Sequence, residues 1–488
     1  MKVFLPRESD NYMSKFNEKV KPERSMSYEG GKNYKKDVLE DWMNFLFSSK
    51  MDDGFYENAA TQQTRFIELT NLVIDKYGAE FAGKCAMFAR NQLGMRSVSH
   101  LVAAMLNGQS FERKRDFYKA FCHRPDDMSE IFAAVDMIGG KRSHAMIRGF
   151  ADYMSCLSEY NLMKYQMKGK RYNMYDLINI IHPKSDVVDG YMNGKLEAAD
   201  TWEVNISTGN DSWKNMVEGN RLGYLALIRN LNNILSEDVD DEWIKRNLVD
   251  QLINEVSIKK SLVFPYQIYT AYRNLKVQNF AVITALDTAF RIACGNMPKL
   301  EGNSVIMLDV SGSMEDRYGN KSNLTIKEVG ACYAAALYIN GNCDFVKFGN
   351  DAKSATFKKA CGPFQVIREM CENDNCGYGT DIAPAFRLIR DKKYDRIFIV
   401  SDMQVMEKRF SWWGNSNDDM EKYNDYCAAH GRTILYSFDL GNYTSQIANP
   451  NNPDVHLMTA MNDNVFKMLE YVENGGNLYD YINDNYHF

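Results

Sequence analysis

From about residue 60 to residue 295, apolar residues recur at intervals of three and four, the spacing that lays one stripe along an α-helix. In RFIELTNLVIDKYGAEFAGKCAMFARNQLG the stripe is Phe66, Leu69, Leu72, Val73 and Tyr77, then Phe81, Cys85 and Phe88. Gly83 is tolerated inside such a pattern, and Gly94 suits a C-terminal cap. Further amphipathic segments are predicted near 97–107, 111–121, 129–138, 141–158, 174–181, 213–235, 241–256, 264–275 and 279–295. Several of the prolines in this stretch, Pro125, Pro183 and Pro265, fall at segment boundaries. No fixed-period repeat stands out. Short helix pairs of this kind stack as an α-solenoid with a curved or ring-like binding surface, and a compact bundle is the alternative.

The pattern changes at Pro298. Ser304–Asp309 (SVIMLD) is an apolar run ending in an acid, as a buried parallel strand requires. A helix at 324–340, a strand at 343–348, a helix at 381–391, a strand at 396–401, a helix at 418–430 and a strand at 433–438 are predicted to follow, then a strand at 455–459 and a helix at 462–474. This alternation predicts a doubly wound, Rossmann-like α/β domain with its site at the carboxyl ends of the strands. The chain is therefore expected to be multidomain, with α-helical residues 1–298 followed by α/β residues 299–488.

Charge sharpens the division. Of 58 Lys+Arg and 64 Asp+Glu in all, residues 1–300 hold 40 and 38 (net +2), leaving 18 and 26 (net −8) for residues 301–488. The net charge of −6 over 488 residues thus conceals a local basic region: residues 113–171 carry twelve Lys+Arg against seven Asp+Glu. No run approaches the ~18 consecutive apolar residues of a membrane helix, and MKVFLPRESDNYMSK has no apolar signal core. The ten cysteines form no CxxC pair or His/Cys ligand spacing, which suits reduced thiols in a cytoplasmic protein.

Candidate chemistry lies at the predicted strand ends. Asp309, Ser311 and Ser313 offer a carboxylate and two hydroxyls at alternate positions, an oxygen set for a hard divalent cation such as Mg²⁺. Thr380, after Gly379 in GYGTD, and Asp402, after IFIVS, end up on the same edge. An N-capping turn would explain DVSGS alone but not the coincidence of the three loops. An aspartyl-nucleophile phosphatase needs a second Asp where Ser311 stands; G-x-S-x-G, Walker A and GxGxxG patterns do not occur. The seven histidines form no ligand spacing and no carboxylate cluster outside the metal loop suggests two-metal chemistry, so a catalytic site is not expected.

All five positions resemble the metal-ion-dependent adhesion site of the von Willebrand factor A domain, which implies metal contact by Asp309, Ser311, Ser313 and Thr380, and by Asp402 directly or through water. In such domains the ion mediates binding and does no chemistry. In the helical half, KRYNMYDLINIIHPK (170–184), TWEVNIST (201–208), GYLALIRNLNNIL (223–235) and FPYQIYTAYRN (264–274), followed by an A domain, resemble the TROVE module of the Ro autoantigen family and its bacterial and phage relatives. The resemblance implies a HEAT-like repeat ring closed by the A domain. It further implies binding of single-stranded 3′ ends of misfolded RNA in the central hole, binding of small structured Y RNA outside, and work alongside an exoribonuclease.

By the same resemblance His182 in IIHPK lies on the RNA surface, Lys170 and Arg171 in the basic loop before it, and Lys141, Arg142 and Arg148 on a basic helix. His144, Tyr165, Tyr172 and His182 are interleaved as stacking faces or donors. Arg229 and Arg273 face the central hole or are buried partners of Asp or Glu. The expectation is a monomeric, non-catalytic RNA-binding protein. A protein-assembly factor working through the metal site is the alternative.

Overall fold

The computed structural model describes residues 24–26, 32–35, 38–48, 59–318, 322–358, 361–404, 419–441, 445–447, 449, 452, 454–458, 469, 473 and 478–488. From residue 59 to 297 these residues form helices and short connections. Phe66, Val73, Phe81, Cys85 and Phe88 are buried as the stripe predicts, whereas Leu72 is half exposed.

Local side chains set many helix starts. Ser143 accepts the Met146 N–H (3.3 Å), so the helix begins at His144 and not at 141. Asn173 and Asp176 close a capping box at the head of Met174–Ile181, which runs over the residues predicted. The expected helix 213–235 divides into Trp213–Glu218, Tyr224–Arg229 and Leu231–Leu235. Asn220, in the left-handed region at φ 50°, breaks it after Gly219, and Glu237 accepts the N–H groups of Trp213 and Lys214 (both 2.8 Å). The expected helix 241–256 ends at Leu252, because the Asn254 side chain caps a new helix, Glu255–Ser261 (2.8 Å from Ser257 N).

Helices Lys114–Phe121 and His144–Met154 pack closely at Gly149. A Cβ there would lie 2.4 Å from Arg115 O and 2.7 Å from Tyr118 Cβ. Gly149→Ala should therefore destabilise by about 1–3 kcal/mol despite the helix propensity of alanine, read as a lower urea midpoint. An unchanged or higher midpoint would show that the two helices move apart freely.

The α/β half holds six strands: β3 (Ser304–Asp309), β4 (Cys343–Phe348), β5 (Ala352–Ala355), β6 (Arg396–Ser401), β7 (Ile434–Asp439) and β9 (Val455–Met458). Their order is β5-β4-β3-β6-β7-β9, all parallel except the β4–β5 pair. β3 and β6 are buried along their whole length, which accounts for their unbroken apolar sequence. The chain leaves β3 towards β4 and returns to the other side of β3 as β6. The switch point therefore falls between the carboxyl ends of β3 and β6.

β1 (Arg24–Met26), β2 (Lys32–Lys35), β5, β8 (Ser445–Gln446) and helices Pro363–Cys371 and Leu478–Asn485 join the elements predicted. The predicted helix 462–474 lies outside the described residues except at 469 and 473, both helical.

Contacts among the described residues cross the expected division at 298/299 at several places. β2 pairs with β8 (Tyr34↔Gln446), and the C-terminal residues return to the helical half, where Phe488 packs on Phe117 (5.2 Å) and Tyr486 on Phe88 (5.6 Å). A third seam joins the halves directly. Asp287 accepts the Phe364 N–H (2.8 Å) at the head of Pro363–Cys371, and Tyr272 stacks on Phe364 at 4.3 Å.

Candidate functional site

Asp309 ends β3 with no exposed surface, and Asp402 follows β6 at 1% exposure, so the two face one another across the switch point. Asp309 Oδ2 accepts from Ser401 Oγ (2.6 Å) and Oδ1 from Ser311 N (2.8 Å). Ser311 Oγ lies 3.4 Å from Ser313 Oγ, and the Ser313 hydroxyl hydrogen-bonds the Asp402 carboxylate. Thr380 is buried, and its loop is fixed to the motif by Gly312 N donating to Tyr378 O (2.8 Å). Asn373 Nδ2 ties the two loops again, donating to Val310 O (2.9 Å) and Gly377 O (2.8 Å). The structure thus brings all five oxygen-bearing residues to one sheet edge.

Burial pushes the carboxyl of Asp309 up, against hydrogen bonds from Ser401 and Ser311 and the charge of Lys327. Burial, then the charge of Asp309, pushes Asp402 up as well. Two buried carboxylates that raise each other form a site short of positive charge. The donors are all oxygen, and no group of three His, Cys, Asp or Glu gathers among the described residues. Two carboxylates with hydroxyls therefore suit a hard cation such as Mg²⁺ better than zinc.

Met403, buried at φ 63°, turns the chain so that its N–H reaches Ser401 Oγ (3.0 Å) and Gln404 N reaches Asp402 Oδ1 (3.2 Å). Strain of this kind persists where surrounding contacts over-determine it. Ser401 and the buried Asp439, its register partner on β7, were not picked out from the sequence. Each follows an apolar run, the same signal that marked Asp309.

The basic residues of the helical half separate into groups. Lys141, His144 and Arg148 are exposed; His144 and Arg148, four apart in one helix, share a face. Asn107 braces the turn before that helix through Lys141 O (2.7 Å) and Ser143 N (2.9 Å). Lys170 pairs with Glu130 (3.2 Å) and Arg171 with Asp136 (2.9 Å), both with most of the side chain in solvent. His182 is exposed at the far end of Met174–Ile181, about 12 Å along the axis from its start. Arg229 is exposed at the end of Tyr224–Arg229.

Two expected roles change, those of Arg142 and Tyr172, and Arg273 takes one of its two expected roles. Arg142 lies over the rings of Phe132 (4.7 Å) and Tyr172 (4.9 Å) and donates to Asp136 (3.0 Å), so packing holds it and it is not a free contact. Tyr172 spends its hydroxyl on Asp136 and Arg142 and its ring on Phe132, which removes it as a stacking face. Arg273 pairs with Glu328 of the α/β half (2.7 Å), the acid-partner role, with 39% of its side chain exposed. Glu328 also accepts from Thr325 N (3.0 Å) and Tyr269 OH (3.3 Å), so Arg273 helps join the two halves.

Residues 191–283 match the TROVE domain family. Among solved structures, the Ro (RSR) protein of Deinococcus radiodurans is similar at a TM-score of 0.61 and 18% identity, over 88% of this chain and 98% of that one. Proximal thread matrix protein 1 from the mussel byssus aligns at a TM-score of 0.25 and 13% identity, over 36% of this chain and 47% of that one, too weak to carry an argument. No curated protein matches the sequence. The domain match and the shared fold together support the resemblance to the Ro family. No described helix is long and apolar enough to cross a membrane.

Proposed function

We propose that this chain, with a TROVE domain over residues 191–283 and the fold of a Ro protein, is a non-catalytic RNA-binding protein of the Ro type. The TROVE match carries the reading. In it the helical half is a ring of HEAT-like repeats closed by a von Willebrand factor A domain, and the ring holds single-stranded 3′ ends of misfolded RNA. Small structured, Y-like RNA sits outside on Lys141, His144, Arg148, Lys170, Arg171 and His182. Exposure of all six supports this assignment, because the four lysines and arginines neutralise phosphate, and the two histidines meet RNA, only where water and RNA can reach them.

The test is RNA affinity at moderate salt. The triple substitution Lys170→Ala, Arg171→Ala, His182→Ala should weaken binding of a small structured RNA by about tenfold or more, with an unchanged unfolding midpoint. Undiminished binding would remove the outer surface from the proposal.

The oxygen-lined edge at Asp309 and Asp402 favours a second role alongside the first, a Mg²⁺-dependent adhesion site for a protein such as an exoribonuclease. The cation would leave one coordination position for an acidic side chain of that partner. Asp309→Ala separates the roles. Loss of a magnesium-dependent protein contact with RNA affinity intact assigns the edge to assembly.

A further inference from the structure

The basic loop at residues 165–173 is fastened to one helix, Asp126–Met137, by a regular set of contacts. Ser129 Oγ donates to Tyr172 O (2.7 Å), Glu130 pairs with Lys170 (3.2 Å), and Asp136 accepts from Arg142 and Tyr172 and forms an ion pair with Arg171 (2.9 Å). The two acids are not equivalent. The Glu130–Lys170 pair lies in solvent, with side chains 37% and 61% exposed, where an ion pair constrains little. Asp136 is 18% exposed, and both its oxygens are in use: Oδ1 on Arg142 (3.0 Å), Oδ2 on Arg171 (2.9 Å) and on the Tyr172 hydroxyl. Arg142 is in turn clamped between the rings of Phe132 and Tyr172.

We infer that Asp136 is a positioning residue for the RNA surface, holding the guanidinium of Arg171 outward in one orientation so that its free N–H groups meet a phosphate without further ordering. The inference rests on the RNA-binding reading above. An arginine has five N–H donors in a rigid fork. A carboxylate that takes one edge and is itself fixed by an arginine and a tyrosine leaves the other edge aimed at solvent, 64% of the side chain being exposed. A contact preordered in this way avoids the entropy of fixing a long side chain at the moment of binding.

Charge alone predicts the opposite effect, since an acid beside a phosphate site should weaken binding. The two acids of this helix therefore make a decisive pair. Asp136→Asn and Glu130→Gln change the charge by the same amount, a few residues apart. With a short RNA hairpin titrated at several salt concentrations, Glu130→Gln should leave the affinity unchanged or raise it. Asp136→Asn should lower it about fivefold and make the salt slope shallower by about one phosphate contact. Tyr172→Phe keeps every charge, removes the hydroxyl that braces Asp136, and should shift affinity in the same direction as Asp136→Asn. It keeps the test decisive should Asp136→Asn lower the unfolding midpoint.

If Asp136→Asn binds as tightly as Glu130→Gln, or Tyr172→Phe binds like the unaltered protein, the positioning role is wrong. Arg171→Met tells that failure from a failure of the underlying reading. If it changes neither affinity nor slope, the RNA surface itself is misplaced.

Discussion

Replacing Asp127 with alanine should cost the helical half about 3–5 kcal/mol, the scale for removing one partner of a buried ion pair. Asp127 has no exposed surface. Arg90 reaches it through two bonds, Nε to Oδ1 (3.0 Å) and Nη2 to Oδ2 (2.9 Å). His100 Nε2 lies 2.8 Å from Oδ1, and as the carboxylate can only accept, the imidazole nitrogen is the donor. The N–H groups of His123 (3.0 Å) and Arg124 (2.8 Å) complete the set. Arg90 and His100 belong to two earlier helices, Ala79–Asn91 and Ser97–Leu106, so one carboxylate joins three helices and a turn. Alanine would strand Arg90, 5% exposed, and His100, 3% exposed, with no counter-charge.

The pH dependence follows from the same contacts. Burial alone would raise the Asp127 carboxyl, but the His100 hydrogen bond, the charges of His100 and Arg90 and the Arg124 N–H hold it well below the usual carboxylate range. A depressed folded pKa contributes stability that is complete above the unfolded value of about 4 and is lost as pH falls towards the folded one. The gap between parent and Asp127→Ala should therefore be widest near neutrality and narrow below about pH 4. Urea midpoints at neutral and acid pH check both statements. A difference under about 1 kcal/mol at neutral pH would show that the network relaxes around water.

Asp127 also marks what the sequence alone could not show. The strands Ser304–Asp309, Cys343–Phe348 and Arg396–Ser401 were legible to the residue, because each is a bounded run with several apolar residues, the first and last buried throughout and the second from Phe345 on. Asp309 and Asp402, the two carboxylates of the oxygen-lined edge, were legible for the same reason: one ends such a run and the other stands directly after one. β2 (KNYK) and β8 (SQ) carry no periodicity; β2 pairs locally with β1, but β8 is defined only by β2, hundreds of residues away. The partners of Arg142 and Arg171 were illegible for a related reason, and Arg273 was left with two alternatives. Local spacing marks an arginine as basic, but whether it meets Asp136, solvent or Glu328 depends on which helix faces it. The seven acids of residues 113–171 therefore counted for more than their number suggested. Asp136 alone engages two of the twelve cations there, and Asp152 a third, Arg115 (2.6 Å).

In the α/β half, Asp309→Asn should stabilise the protein in the presence of a chelator and abolish its response to Mg²⁺. The two outcomes share one cause. Asp309 and Asp402 are both buried to within 1% exposure, and each raises the free energy of the other's charge. Asparagine keeps the shape and can keep the local bonds: its Oδ1 accepts from Ser311 N, and its Nδ2 donates to Ser401 Oγ, the hydroxyl reversing its role. Removing the repulsion at small cost in hydrogen bonds favours the metal-free fold. A cation in the parent protein would turn the same repulsion into ligation. At a hundred times its dissociation constant, it would stabilise by about 2.7 kcal/mol, visible as a rise in melting temperature.

With one carboxylate gone, Ser311, Ser313, Thr380 and Asp402 remain, too little charge to hold a strongly hydrated ion. Melting curves with chelator and with graded Mg²⁺ give both signs in one experiment. A rise in Asp309→Asn equal to that of the parent would place the responsive cation elsewhere. No rise in either protein, together with a chelator-insensitive parent, would make the oxygen cluster a hydrogen-bonded clasp for the sheet edge. RNA affinity should be equal in the two proteins. The basic loop is fastened to the helix Asp126–Met137, and the motif loop to Tyr378, Asn373 and Ser401, so the two sites draw on separate contacts.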